Sequence, residues 1–334
     1  MRTVRAVLES LAVLALVGIS VAGAIDLQGH RGARGLAPEN TLTGFRRAML
    51  EGVSTLELDI GLTRDRVAVV HHDDALNPDL ARDAAGQWLA EPRLIHEMTS
   101  RELSRFDVGR VRPGTPYATR YPKQEARDGE TIPTLDRLFA MVSSTSARAL
   151  RFNIETKLSP LAPERSAAPE AMAEAVLRTA ERHRMLDRVT LQSFDWRTLS
   201  IMRRLAPEVP TIHLTVRQPW LNNIDPRWNA GLNLADHGSV PRLVKAAGGR
   251  GWSPYFGDLD AADLAEARSL GLKVIVWTVN TPADIERMLD MGVDGLITDY
   301  PDLARRMILE RGLTIGPVDW ESGEKSSPDT RRSQ

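Results

Sequence analysis

Residues 272–298, LKVIVWTVNTPADIERMLDMGVDGLIT, decide the fold. The run 272–277 is short and mostly apolar, as a strand covered on both faces requires. Residues 282–291 read as an amphipathic helix, Gly292 is the stop expected after a helix end, and 295–298 are again a short apolar run. One strand–helix–strand unit of this kind places two parallel strands side by side. Working outward, the same alternation recurs along the chain. Candidate strands lie at 25–29, 55–60, 149–154, 189–192, 211–214 and 251–253, which with the two above makes eight. Helical stretches at 40–51, 169–184, 195–205 and 261–270 fall between them. In the first, Leu42, Phe45 and Met49 recur at helical spacing behind an Asn40/Thr41 cap, and Gly52 and Gly271 follow helix ends. Eight strands interleaved with helices predict a closed (β/α)8 barrel; a doubly wound open sheet is the alternative for such a pattern.

Two stretches exceed what a minimal barrel needs. Residues 66–71 alternate as the return arm of a hairpin would, with Arg64, Asp65 and Arg66 as its turn. Residues 75–132 then run on without a clear strand, rich in Pro, Gly and charge. A long connection inside a compact domain is usually a functional segment. Here it follows a strand's C-terminal end and would overhang that face as an inserted cap. The connection 215–249 is expected to supply another part of the rim.

The ends of the chain read differently. Residues 1–24 combine two arginines, the apolar run LAVLALVGISVAGA and the small residues Ala22, Gly23 and Ala24, the pattern of a secretory signal peptide cleaved after Ala24. An uncleaved anchor is the competing reading, but the apolar run is shorter than the roughly 20 residues a spanning helix needs, so no stable membrane anchor is expected. Export would place the protein in the periplasm or outside the cell. The barrel domain is expected over 25–317 and a disordered polar tail over 318–334.

Composition narrows the chemistry. With 43 basic and 44 acidic residues well mixed, there is no basic field for nucleic acid. The expected partner is a small molecule. With 0 cysteines, disulfides, thiolate catalysis and Cys-ligated metals are excluded, so any metal must be held by oxygen or imidazole.

In a (β/α)8 barrel the reacting groups sit at the C-terminal ends of several strands. The first candidate strand ends in His30 and Arg31, the second carries Glu57 and Asp59, and the third leads into Glu155 and Lys157. Alternation along a strand puts Glu57 and Asp59 on one face, and likewise Glu155 and Lys157. Three carboxylates would then meet near one point, and such a group repels itself unless a cation or protons offset it. All-oxygen ligation favours a hard ion, Ca2+ or Mg2+, over Zn2+. Arg31 and Lys157 beside it suit phosphate oxygens. Cleaving a phosphodiester further needs a base for the nucleophile and an acid for the departing alkoxide, and His30 and His72 supply two imidazoles. Each of these short patterns is common by chance. Their coincidence at the ends of different strands is what carries the reading.

These residues stand in QGHRGARGLAPENTLTGF, LELDIGLTRDRVAVVHHDDAL, FNIETK, LQSFDW and VIVWTVNTPADIERMLDMGVDGLITDYPD. In this order, over roughly residues 25–312, the motifs resemble the glycerophosphodiester phosphodiesterases. The resemblance implies a TIM barrel with a cap after the second strand, and hydrolysis of a small glycerophosphodiester to sn-glycerol 3-phosphate and an alcohol. It implies His30 and His72 as the acid/base pair, Arg31 and Lys157 on phosphate, and Glu57, Asp59 and Glu155 as ligands of Ca2+ or Mg2+. Gln192, Ser193 and Trp277 lie where the family lines its pocket, with a core role the other reading for Trp277. Of the paired histidines, the resemblance selects His72, with Asp73 to orient it, and leaves His71 on the opposite side of the strand.

Two other activities fit parts of the pattern. A glycoside hydrolase could use Glu57 and Asp59, whose Cα atoms would stand about 6–7 Å apart, but it has no need of the histidines and Arg31. A phospholipase D-like lyase on the same barrel would release cyclic phosphate from lysophospholipids or sphingolipids.

Overall fold

The structure, a computed structural model, describes residues 24–320. The expected signal peptide and the expected tail from 321 onward lie outside the described residues. Eight parallel strands form the central sheet: β1 (Asp26–Gly29), β2 (Thr55–Leu62), β3 (Arg151–Thr156), β4 (Val189–Ser193), β5 (Thr211–Thr215), β6 (Gly251–Pro254), β7 (Lys273–Val276) and β8 (Gly295–Thr298). Neighbours in sequence are neighbours in the sheet. Strand β1 pairs with β2 on one side, Gln28 opposite Thr55, and with β8 on the other, Gly29 opposite Thr298. That second pairing closes the barrel and excludes the open sheet.

Seven helices return the chain between strands, α1 (Leu42–Leu50), α2 (Leu135–Ser143), α3 (Pro169–His183), α4 (Trp196–Leu205), α5 (Val240–Ala246), α6 (Ala261–Ser269) and α7 (Pro282–Met291), and α8 (Pro301–Glu310) follows β8. The main core lies between the two rings. In β2, Leu56, Leu58 and Ile60 are fully buried within it beside Phe45 of α1 and Phe139 of α2. The intervening Glu57 and Asp59 are 1% exposed and lie on the barrel's inner side, so this strand is buried on both faces although half of one face is acid. Thr41, not Asn40, caps α1, its hydroxyl accepting the Gly44 N–H at 3.0 Å. The Asn40 side chain serves the site instead.

The hairpin after β2 is present. Residues Ala68–Val70 form an antiparallel strand on β2, with Val70 opposite Ile60. Beyond it, the insertion up to α2 has its own small core of Leu76, Ile95, Met98, Leu103 and Phe106 against Val69. Two-residue strands at 75–76 and 93–94 pair antiparallel there. At the opposite end of the barrel the chain departs from the expected tail. Val318 is 5% exposed and packs with Ile212, Ile275 and Ile297, and Trp320 lies against this cluster. The ordered chain therefore continues past 317, because these two apolar side chains cover the barrel's N-terminal mouth. No described helix is long and apolar enough to cross a membrane.

Candidate active site

Strand β1 ends at the barrel's C-terminal face, and its next residue, His30, donates its backbone N–H to Thr298 O of β8 at 2.9 Å. The chain then turns through Arg31 (φ 50°) and Gly32 (φ 86°), both in the left-handed region. This turn directs the Arg31 N–H to Glu57 Oε2 at 2.9 Å. The Arg31 guanidinium meets Glu39 Oε1 at 3.0 Å and Asp59 Oδ2 at 3.3 Å.

Glu57 and Asp59 project from β2 and Glu155 from β3, where Asp59 and Glu155 are register partners. One carboxylate oxygen from each lies within 4.8 Å of the others, and all three residues are buried. Were all three ionised, each pair would repel by roughly 3.5 kcal/mol or more at an effective dielectric of about 20. Burial, then the charges of Asp59 and Glu155, hold the Glu57 carboxyl well above the usual carboxylate range. Burial likewise pushes Glu155 up to about 7, partly offset by Lys157. Asp59 goes the other way. Burial works against its charge, but His72, Arg31 and Lys157 together hold it below the usual range. The neighbours that orient these acids are Asn40 Nδ2 on Asp59 (2.9 Å), Gln192 Nε2 on Glu57 (2.9 Å) and Lys157 Nζ on Glu155 (2.6 Å). Two buried acids that favour their protonated forms side by side are a site short of positive charge. A divalent cation fits it, and the donor set of carboxylate oxygens suits a hard one.

Both candidate imidazoles face the same cavity of about 440 Å3, which is also lined by Arg31, Glu57, Glu155 and Lys157. His30 holds Asp299 Oδ1 through Nδ1 at 2.7 Å and turns Nε2 toward Glu57, 4.0 Å away. Burial and then the Arg34 charge lower its pKa to about 4, against the opposing pull of Asp299. His72 pairs through Nδ1 with Asp73 Oδ1 at 2.6 Å. Surrounding atoms, Arg31 and Lys157 hold it well below the usual imidazole range, although part of its edge stays open to the cleft. His71 points to the other side, where its Nε2 lies 3.2 Å from Ala75 O.

Trp277 lines the cavity and anchors its indole Nε1–H on Ser253 O at 2.9 Å. Gln192 also borders the cavity, but its amide is engaged by Glu57 and by Asn153, so it positions an acid where a substrate contact was expected. Ser193 does not reach the cavity. It is fully buried and donates to Thr156 O at 3.1 Å. The expected rim from the connection after β5 is there, with Trp220, Leu221 and Trp228 on the cavity wall, and Phe194 stands edge-on to Trp277 at 5.2 Å. Sequence reasoning missed Arg34, Asn280 and Asp299. The signal was available: Asp299 directly follows β8, and the strand-end test that found Glu155 picks it out equally.

The sequence profile of the glycerophosphoryl diester phosphodiesterase family matches residues 30–303. Among curated proteins, the chain is similar to a glycerophosphodiester phosphodiesterase of Caldanaerobacter subterraneus subsp. tengcongensis, 26% identical, with 85% of this chain and 97% of that one covered. It is 27% identical to a glycerophosphodiester phosphodiesterase of Bacillus subtilis, covering 83% of this chain and 84% of that one. Among solved structures, a candidate glycerophosphoryl diester phosphodiesterase from Silicibacter pomeroyi superposes with a TM-score of 0.79 at 39% identity, over 87% of this chain and 95% of its own. An Oleispira antarctica phosphodiesterase solved with sn-glycerol-3-phosphate shares the fold, with a TM-score of 0.63 at 21% identity over 85% of this chain and 97% of its own.

Proposed function

The chain belongs to the glycerophosphoryl diester phosphodiesterase family and hydrolyses glycerophosphodiesters, and on that premise we propose that His30 and His72 are its acid/base pair. Glu57, Asp59 and Glu155 hold the divalent cation, Ca2+ or Mg2+, and Arg31 and Lys157 bind the phosphate. The observation that carries this reading is the convergence of both imidazoles, Arg31, Lys157 and two of the three acids on one cavity. When bound, the cation offsets charge on the non-bridging oxygens of the phosphate. Arg31 adds a planar donor that can meet two of those oxygens, and Lys157 adds a point charge. One imidazole takes the proton of the nucleophile and the other returns a proton to the departing alcohol, giving sn-glycerol 3-phosphate and that alcohol. Phe194, Trp220 and Trp277 supply an aromatic wall against which the diester's alcohol moiety can lie.

The direct test offers the purified barrel domain glycerophosphocholine, glycerophosphoethanolamine and a lysophospholipid with Ca2+ or Mg2+. Glycerol 3-phosphate from the first two is the expected product. Activity on the lysophospholipid alone, with a cyclic phosphate released, would replace this reading by the lyase. Chelation should abolish turnover, and recovery with Zn2+ alone would count against hard-ion ligation. Export rests on the sequence of residues 1–24. Protein from the periplasm of an expressing bacterium should begin at Ile25, whereas cytoplasmic protein still carrying Met1 would refute it.

A further inference from the structure

We propose that Asp299, locked by Arg34 and Asn280, is the positioning residue that fixes the tautomer and aim of His30, an inference that rests on the catalytic role given to His30 above. Asp299 is fully buried, and each of its oxygens has two donors. Oδ1 lies 2.7 Å from His30 Nδ1 and accepts Arg34 Nε–H at 2.8 Å. Oδ2 accepts Arg34 Nη2–H at 3.0 Å and Asn280 Nδ2–H at 2.7 Å. Asn280 completes a cross-brace, since its own Oδ1 accepts the Asp299 backbone N–H at 2.9 Å. The carboxylate cannot turn without breaking bonds to two other side chains, so the direction of the His30 ring is set by the frame behind it.

The same contacts decide which ring nitrogen carries the proton. Nδ1 faces both Asp299 Oδ1 at 2.7 Å and Arg34 Nη2 at 3.1 Å. Arginine only donates, and an ionised carboxylate only accepts. Asp299 stays ionised because the Arg34 charge, with the hydrogen bonds from Arg34 and His30, outweighs the opposing effect of burial and holds it below the usual carboxylate range. Two acceptors 2.7 Å apart with no proton between them would repel, so Nδ1 carries the hydrogen and donates it to Asp299. Arg34 Nη2 then directs its hydrogen to Oδ2. Nε2 is left with its lone pair toward the cavity, on the Glu57 side. His72 has a looser arrangement, because Asp73 is 37% exposed and, among the described residues, its other oxygen accepts Asn77 Nδ2 alone, at 3.2 Å.

Asp299 is brought to His30 by the pairing that closes the barrel, in which Gly29 lies opposite Thr298. The two residues that follow these partners are His30 and Asp299. Closure of the sheet and alignment of a catalytic imidazole are thus one structural event.

The test is a double-mutant cycle on glycerophosphocholine hydrolysis, with thermal unfolding of each variant as the check on folding. Asp299→Asn keeps the shape but puts an amide NH2 against either Arg34 or His30, so kcat should fall about 10²- to 10⁴-fold with KM changed less than about threefold. In the His30→Ala background the same substitution should cost no further activity, because Asp299 acts through that imidazole. Asn280→Ala, which loosens the frame without touching His30, should show a smaller kcat loss that also vanishes in the His30→Ala background. Losses that multiply in the double variants would overturn the proposal by showing a purely structural role. A second readout needs no variant: 15N spectra of the native protein should show His30 protonated at Nδ1 and bare at Nε2, and the reverse tautomer would overturn it. If the native enzyme fails to hydrolyse the diester, the functional reading falls, whereas normal turnover in Asp299→Asn removes only this inference.

Discussion

At positions 71 and 72 two identical side chains meet different surroundings. Alternation at the end of the hairpin arm sends His72 into the main cavity beside Lys157 and turns His71 toward Ala75 O and a much smaller cavity next to Leu80 and Ile132. The chemistry available to each follows from that direction alone. Replacing His72 by Ala should lower kcat about 10²- to 10⁴-fold, the usual contribution of a general acid or base, with little change in unfolding temperature because its ring is part-exposed. His71→Ala removes a buried ring and its contact with a backbone oxygen. It should destabilise by about 1–3 kcal/mol while leaving kcat within about threefold. Steady-state kinetics with thermal melts on the two variants check this. Equal losses of activity in both would mean that the hairpin as a whole, and not the His72 imidazole, is what matters.

The turn between β1 and α1 shows how an element constrains a site. A Cβ added to Gly32 would stand 2.7 Å from Gly44 C, 2.8 Å from Gly44 O and 2.9 Å from Phe45 N, all backbone atoms of α1 that cannot swing away. Gly32 also sits at φ +86°. Gly32→Ala should therefore destabilise by about 2 kcal/mol or more and lower kcat/KM, since the turn carries the His30 ring and the Arg31 amide. Gly86→Ala in the cap is the control, at φ +77° with nothing within 4 Å of the added carbon. Melting and kinetics that do not separate the two variants would show the turn to be compliant. This level of organisation was partly legible in the sequence. All eight barrel strands and the hairpin arm could be placed, because buried parallel strands write short apolar runs between helices and one solvent-free face is enough to fix alternation. The cap could be located but not resolved, since strands of two residues leave no period to read. Its reach into the site was equally hidden. Tyr121 stacks under Arg34 at 4.7 Å and Gln124 Nε2 donates to Arg34 O at 2.7 Å, contacts between segments far apart in sequence. Gln192 and Ser193 show the same limit, because the resemblance gave each a place on the pocket wall but not the neighbour that would occupy its polar atoms.

For the whole molecule, the acidic triad ties metal binding, proton uptake and stability together. Burial pushes Glu155 up to about 7 from its usual 4.5 and holds Glu57 well above that value too. A folded-state carboxyl with a raised pKa binds more protons than the unfolded chain between its ordinary value and its raised one. Its contribution to folding is therefore fully present below about 4.5 and is lost as pH climbs through about 7. A cation needs these groups ionised, so it competes with the same protons and restores at high pH what deprotonation removes. Displacing one proton weakens apparent binding by about tenfold per pH unit below the raised pKa, equivalent to about 1.4 kcal/mol. At one fixed subsaturating concentration of Ca2+ or Mg2+, the rise in unfolding temperature over a chelated sample should be larger at pH 8 than at pH 6. Comparing increments rather than absolute temperatures cancels His30, whose lowered pKa changes stability between about 4 and 6.5 in the opposite direction. Calorimetric titration at pH 6 in two buffers of different ionisation enthalpy should show protons released on binding, and Glu155→Gln should reduce both that release and the pH dependence of the increment. Equal increments at the two pH values, with no proton release, would mean that the ion is held somewhere other than on Glu57, Asp59 and Glu155.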